Sequence, residues 1–377
     1  MRESIKTAYA RVLLVSQEDR YVGKKKATKG LAPEANKDEI VLDKKVPSWL
    51  KTLLGVSLLV VILLSFAFGR FPISPIELFQ TIWNSLFNPD AVNQQMQTAL
   101  FNIRLPRILV VVLTGAALAV AGASYQGMFK NPLVSPDLLG ASAGASFGAC
   151  LALLFDMSNA MVQFFAFIGA IVAVFGAVWM NKMVNRYDAL LGLVIGGILV
   201  STLFQAGTSF IKFVADAHDK LPVIQFWLMG SFSRIDQTDF FIILVPMLIG
   251  FSVLLLNRWK LNVLSFGEEE ATSLGVNVKR TRTIVIFAAT LIVACSVAVA
   301  GIVGWVGLVI PHLARAIVGP NYKVLLPASM FLGASYLLIV DNVARLFTTT
   351  EIPIGILTAI IGVPFFIIIF RHNIKGW

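Results

Sequence analysis

Charge is what this sequence has least of. Only 14% of its 377 residues are Asp, Glu, Lys or Arg, against about 25% in a soluble domain. With 57% hydrophobic residues and a mean hydropathy of +0.80, that shortage excludes an ordinary water-soluble fold. The short alternating segments of a membrane β-barrel, ~10 residues each, are missing too. The apolar residues stand instead in blocks of about 20, enough to cross ~30 Å of hydrocarbon as helix. Cysteine is nearly absent: Cys150 and Cys295 both lie inside apolar blocks and read as small buried hydrophobes, not a disulfide or a metal site. The three histidines, at 218, 312 and 372, are dispersed, so no metal centre is expected. No G-x-x-x-x-G-K-[ST] occurs, so the chain carries no phosphate loop of its own.

Acidic residues are missing from the middles of the apolar blocks. Asp156, Asp341 and Glu351 lie near block ends, where Asp341 can pair with Arg345 one turn on. A proton- or sodium-coupled carrier would place carboxylates near the midplane. The expectation is a chain with no catalytic residue, no cofactor and no metal, whose energy comes from a partner. The mild polar candidates for a pathway lining are Tyr125, Gln126, Ser201 and Gln205.

What charge there is lies unevenly. Twelve of the 31 Lys and Arg fall in residues 1–51, among seven acidic residues. Residues 1–48 therefore read as a basic, disordered tail with some attraction to anionic lipid, and not as a nucleic-acid arm. The tail contains no apolar h-region, so the first apolar block is expected to be a true span, not a signal peptide. The domain proper is then 49–371.

Ten spans are expected, at 49–69, 106–128, 137–156, 159–181, 189–212, 240–258, 283–303, 305–319, 325–346 and 351–370. With the N-terminus inside, the inner segments hold 24 Lys and Arg and the outer ones seven, so both termini are expected in the cytoplasm. The outer segment 70–105 predicts a surface helix. Ser74 and Glu77 form a capping box with Pro75 at the first helical position. Ile76, Phe79, Ile82, Trp83 and Leu86 make an apolar stripe that would lie on the membrane interface or against the bundle.

The segment Ala119–Gly122 reads AVAG and recurs at Ala298–Gly301. Each copy is followed by a proline, Pro132 and Pro311, and then by a glycine, Gly140 and Gly319, all at an offset of 179 residues. Five spans separate the copies, which predicts an inverted internal repeat of the kind found in transport proteins. Gly140, Gly144 and Gly148 also sit in two G-x-S-x-G patterns. In an apolar span, a glycine every fourth residue is a packing face and not a hydrolase elbow. On the inner side, Glu268–Glu270 favour a helix start and Gly275 a helix stop. That makes a helix of about two turns, and segment 267–282 is a candidate lever.

Together these residues resemble the permease subunit of ATP-binding-cassette importers for iron-siderophores, haem and cobalamin, the type II (FecCD-like) importers. The resemblance rests on Arg104-Leu-Pro-Arg107 with Gly115-Ala-Ala-Leu-Ala; Gln126-Gly-Met-Phe-Lys-Asn-Pro-Leu133; Leu138-Leu-Gly-Ala-Ser-Ala-Gly144; and Gly267-Glu268 with Ser273-Leu-Gly-Val276. Further along come Gly304-Trp-Val-Gly-Leu-Val-Ile-Pro-His312, Leu325-Leu-Pro327, and Glu351-Ile-Pro-Ile-Gly355 with Gly362-Val-Pro364. These run in family order over about residues 50–371, and the N-terminal tail is longer than the family pattern. The resemblance implies an all-α, ten-helix permease in a prokaryotic cell membrane. It would pair with a second permease, identical or homologous, two ATPase subunits inside and an extracellular binding protein outside. It also implies residue roles. Arg104, Arg107 and Arg345 would dock the binding protein. Asn131 and Leu133 would form the cytoplasmic gate. Gly267, Glu268, Ser273, Leu274 and Gly275 would couple to the ATPase. The favoured cargo is an iron chelate, with cobalamin or haem as the alternative and a lone ion-coupled carrier as the competing class.

Overall fold

The computed structural model describes residues 46–69, 73–87, 93–184, 189–347 and 350–373, and among these every regular element is helical. The tail expected at 1–48 lies outside the described residues up to position 45. Ten apolar helices occupy the ten expected positions. They are α1 (Ser48–Ala67), α4 (Leu105–Met128), α5 (Ala141–Leu154), α6 (Asn159–Val184), α7 (Ala189–Val214), α9 (Gln237–Leu256), α12 (Val278–Ala300), α13 (Val306–Val318), α14 (Tyr322–Leu346) and α15 (Ile354–Asn373). Shorter helices fill the connections: α2 (Pro75–Phe87), α3 (Gln94–Gln97), α8 (Lys220–Leu228), α10 (Arg258–Phe266) and α11 (Glu268–Ser273). A π-helical stretch, Thr98–Arg104, joins α3 to α4.

Local chemistry sets the helix ends. The capping box expected at Ser74 is present: the Ser74 amide donates to Glu77 Oε2 at 2.8 Å, and the Glu77 amide donates to Ser74 Oγ at 3.2 Å. Asp236 and Asp239 make a second box at the start of α9. Asn277 and Asn321 cap α12 and α14 by accepting backbone N–H groups that the first turn leaves unpaired.

The helices differ widely in burial. In the hydrophobic stretch that includes α4, 83% of residues are buried, against 11% in α1, so α4 is a central post and α1 a peripheral helix facing the hydrocarbon. Small residues allow the central packing. A methyl added at Gly115 of α4 would lie 2.3 Å from the Gly333 carbonyl oxygen of α14, so the two backbones meet with nothing between them. The glycine face predicted on α5 does the same against α6, where a methyl at Gly144 would come within 2.1 Å of the Gly169 carbonyl oxygen.

Two expectations need correction. The third span does not run as one helix from 137 to 156. Pro136–Leu139 form a single 3₁₀ turn, and Gly140, at φ +84°, redirects the chain into a 14-residue α5. The repeat is real as architecture but is not the one the AVAG pattern marked. Helices α4 to α7 have 24, 14, 26 and 26 residues, and α12 to α15 have 23, 13, 25 and 20. In each half a short helix packs on the long one that follows it. Yet Gly122 lies inside α4 while Gly301 ends α12, and Pro132 is in a loop while Pro311 is inside a helix. Gly140 and Gly319 both have positive φ, but Gly140 (ψ 13°) precedes α5 while Gly319 (ψ −178°) follows α13, so they too differ in conformation. The helix starts pair at offsets of 173 (Leu105 with Val278), 165 (Ala141 with Val306), 163 (Asn159 with Tyr322) and 165 (Ala189 with Ile354), none of them 179.

Candidate functional site

Helices α4 and α14 run antiparallel through the centre, so the N-terminus of one and the C-terminus of the other meet at the face where α1 ends. This meeting gathers the three arginines singled out in the sequence. Arg107, on the first turn of α4, lies between two carboxylates. Its Nε donates to both oxygens of Asp341 at 3.2 Å, and its Nη2 donates to Asp341 Oδ1 at 2.7 Å. Its Nη1 and Nη2 donate to the two oxygens of Glu351, at 2.8 and 2.7 Å. Arg345 Nε adds a 3.2 Å contact to Asp341 Oδ2, the i,i+4 pair expected from the sequence. Side-chain exposure is 8% for Arg107, 0% for Asp341 and 15% for Glu351.

The cluster continues sideways. Arg345 Nη2 donates to Asn342 Oδ1, and Asn342 Nδ2 donates to Ser65 Oγ of α1 at 2.7 Å. Arg104 Nη1 donates to the Phe66 carbonyl oxygen, also on α1. One buried polar network therefore fastens α1, α4, α14 and the segment leading into α15. The sequence showed the Asp341–Arg345 spacing. It did not show that Arg107 and Glu351, 244 positions apart, complete the set, because only the antiparallel pairing of α4 with α14 brings them together.

The opposite face carries the candidate lever. Helix α11 spans six residues, Glu268–Ser273, close to the two turns expected, and Leu274 and then Gly275, at φ +78°, end it. It sits on a small core of its own, made by Val263, Leu264, Ala271 and Val276. Glu268 is tied to Arg282 of α12 at 2.5 Å. Leu274 stands at the tip with 60% of its surface exposed, beside exposed Ser273. A residue absent from the sequence reading joins this unit to the bundle. Asn262 Nδ2 donates to Asn321 Oδ1 at 2.9 Å, and the Tyr322 amide donates to Asn262 Oδ1 at 2.7 Å. Because Asn321 and Tyr322 begin α14, the lever is fixed to one end of the helix whose other end carries Asp341 and Arg345. Twenty-five residues of helix make a rod of about 37 Å at ~1.5 Å per residue.

The remaining candidates divide. Asn131 and Leu133 are exposed in the loop after α4, where Asn131 Oδ1 accepts the Leu133 amide at 2.9 Å. On α7, Gln205 is exposed and Ser201 half-buried, one turn apart. Tyr125 and Gln126 are not lining residues of this chain but core residues. Tyr125 OH lies 3.4 Å from Thr290 Oγ1, and Gln126 Nε2 donates to the Leu308 carbonyl at 3.3 Å. Their sequence position, near the end of a central span, gave no sign that α12 and α13 cover them.

Comparison with known proteins places the fold in a family. A profile of the FecCD transport family matches residues 57–372. The molybdate import system permease protein MolB of Haemophilus influenzae is 42% identical over 326 residues, covering 85% of this chain and 95% of the relative. A Helicobacter pylori permease protein named for iron chelatin transport is 37% identical over 320 residues, covering 84% and 95%. Among solved structures, a transporter assigned to the metal-chelate ABC type, in an inward-facing conformation, superposes with a TM-score of 0.78 at 37% identity, over 86% of this chain and all of that one. The chain is an integral membrane permease that belongs to the FecCD transport family.

Proposed function

We propose that this permease is the membrane channel of an ATP-driven importer for an iron chelate. It works with a second permease and two ATPase subunits, and receives its cargo from an extracellular binding protein. The observation that carries this reading is α11, a small exposed helix on its own core whose tip, Leu274, offers an apolar side chain to a partner. In this reading Gly267, Glu268, Ser273, Leu274 and Gly275 seat on the ATPase in the cytoplasm, where both termini also lie. Asn262 passes the resulting displacement to α14, and the rod carries it to the Arg107 cluster on the outer face. Asn131 and Leu133 close the inner mouth, and the Ser201 and Gln205 face of α7 lines the pathway against the second permease.

Arg104, Arg107 and Arg345 are the proposed docking residues for acidic groups of the binding protein. Arg107 already holds two carboxylates, so docking acts on it by exchange or through its neighbours. A lone ion-coupled carrier is disfavoured because the buried carboxylates Asp341 and Asp239 both lie near helix ends, Asp341 between two guanidiniums and Asp239 in the capping box with Asp236, and not at mid-membrane. A molybdate cargo is the second reading, favoured by the 42% identity to MolB. The test of the coupling assignment is Leu274→Asp. It should leave the permease inserted and able to bind its ATPase weakly, while uptake and cargo-stimulated ATP hydrolysis are lost. Wild-type values for both would refute it.

A further inference from the structure

We propose that α2 is an interfacial helix whose aromatic ridge is seated in the lipid bilayer beside α1. At 100° per residue, its side chains divide into three sectors. Thr81 is buried toward the protein, with its Oγ1 2.9 Å from Met96 Sδ of α3. Glu77 and Gln80 are exposed on a polar sector. Ile76, Phe79, Ile82, Trp83 and Phe87 form an apolar sector between these two, with exposures of 70, 65, 39, 53 and 63%. A helix packed on one edge, wet on the second and apolar on the third has the pattern of one lying in the plane of a membrane surface.

The occupant of the apolar sector follows from where the helix begins. Pro75 comes eight positions after Ala67, the last residue of α1, and α2 packs on α1. The outward surface of α1, with Leu59, Val60, Leu63, Leu64 and Phe68 all exposed, is its hydrocarbon-facing side. The α2 ridge follows that span within eight residues, which in this proposal sets it at the depth where hydrocarbon gives way to headgroups. Its composition suits that depth. Phe79 and Trp83 stack at 6.0 Å, Trp83 and Phe87 meet in a tilted contact at 4.5 Å, and Trp is enriched at membrane interfaces. The Ser74–Glu77 box fixes the start of the helix, and with it the direction of the ridge.

The experiment places a nitroxide at Phe79→Cys, Trp83→Cys or Gln80→Cys, in the full chain with Cys150→Ala and Cys295→Ala, in phosphatidylcholine nanodiscs. Collision rates with oxygen, which concentrates in lipid, are compared with those of a water-soluble nickel chelate. The oxygen-to-nickel ratio should be several-fold higher at 79 and 83 than at 80. Equal ratios at all three positions would mean that the ridge is in water. Immobilised spectra at 79 and 83, reached by neither agent, would mean that a protein surface covers it. Either result overturns the proposal. All three positions are exposed, so the labels do not test folding.

Discussion

Replacing Asp341 with Asn should destabilise the face of the bundle where α1 and α14 end far more than any surface charge could. The substitution keeps the shape and removes the charge that faces both Arg107 and Arg345. Breaking a buried pair from one side costs about 3–5 kcal/mol, whereas exposed pairs are worth ~0.2–1 kcal/mol. Arg107 keeps the two Glu351 contacts, which places the expected loss near the lower end, about 3 kcal/mol. Glu351→Gln, at the more open side of the cluster, should cost less. The double variant Arg107→Gln with Asp341→Asn removes both charges, and it should lose less than the sum of its singles, by about 0.5–3 kcal/mol. Equilibrium unfolding of the purified permease in mixed micelles, with each variant and the double, measures all of these. A loss below ~1 kcal/mol for Asp341→Asn, or strict additivity, would refute the view that these groups fasten this end of the bundle. The same geometry makes Arg107→Glu a poor test of docking, since it would bury a third carboxylate beside two others.

Three further outcomes are expected. Asn262→Ala removes both hydrogen bonds between the lever and α14, so ATP hydrolysis by the assembled complex should continue while transport per ATP falls several-fold; unchanged coupling would sever the lever from the rod. Gly144→Val forces a branched side chain against the Gly169 carbonyl and should cost at least the ~1–3 kcal/mol of overpacking, seen as loss of folded protein in detergent. Arg104→Gln removes a guanidinium that donates to the Phe66 carbonyl oxygen of α1 and should weaken binding-protein docking. The defect should shrink at high salt, where screening weakens docking to the wild type as well; a salt-independent defect would point to a packing role instead.

The ten apolar helices were legible because hydrocarbon permits little else: each span must satisfy its own backbone and present apolar side chains, which writes a long signal into composition. Capping chemistry is equally local, and the Ser74–Glu77 box was readable for that reason. The Arg107 cluster was only half legible. Its i,i+4 component is a helix spacing, but Glu351 reaches Arg107 through tertiary packing alone. Tyr125 and Gln126 misled for the same reason, since polarity in a span says that a side chain needs a partner and not whether that partner is water or a neighbouring helix. The AVAG match failed because small residues recur wherever helices touch, so the shared motif marked packing, not equivalent positions. The repeat lies in the helix lengths, and these become visible only when Gly140 and Gly301 are seen to end elements.

The most direct test of the central claim is reconstitution. The permease, its cognate ATPase and its binding protein are placed in proteoliposomes, and accumulation of an iron chelate and of molybdate is followed by elemental analysis, with and without ATP. The account predicts iron accumulation that needs both ATP and the binding protein and is abolished by Leu274→Asp. Uptake driven by an ion gradient in the absence of the ATPase would contradict it, and ATP-dependent accumulation of molybdenum in place of iron would overturn the cargo while leaving the machine intact.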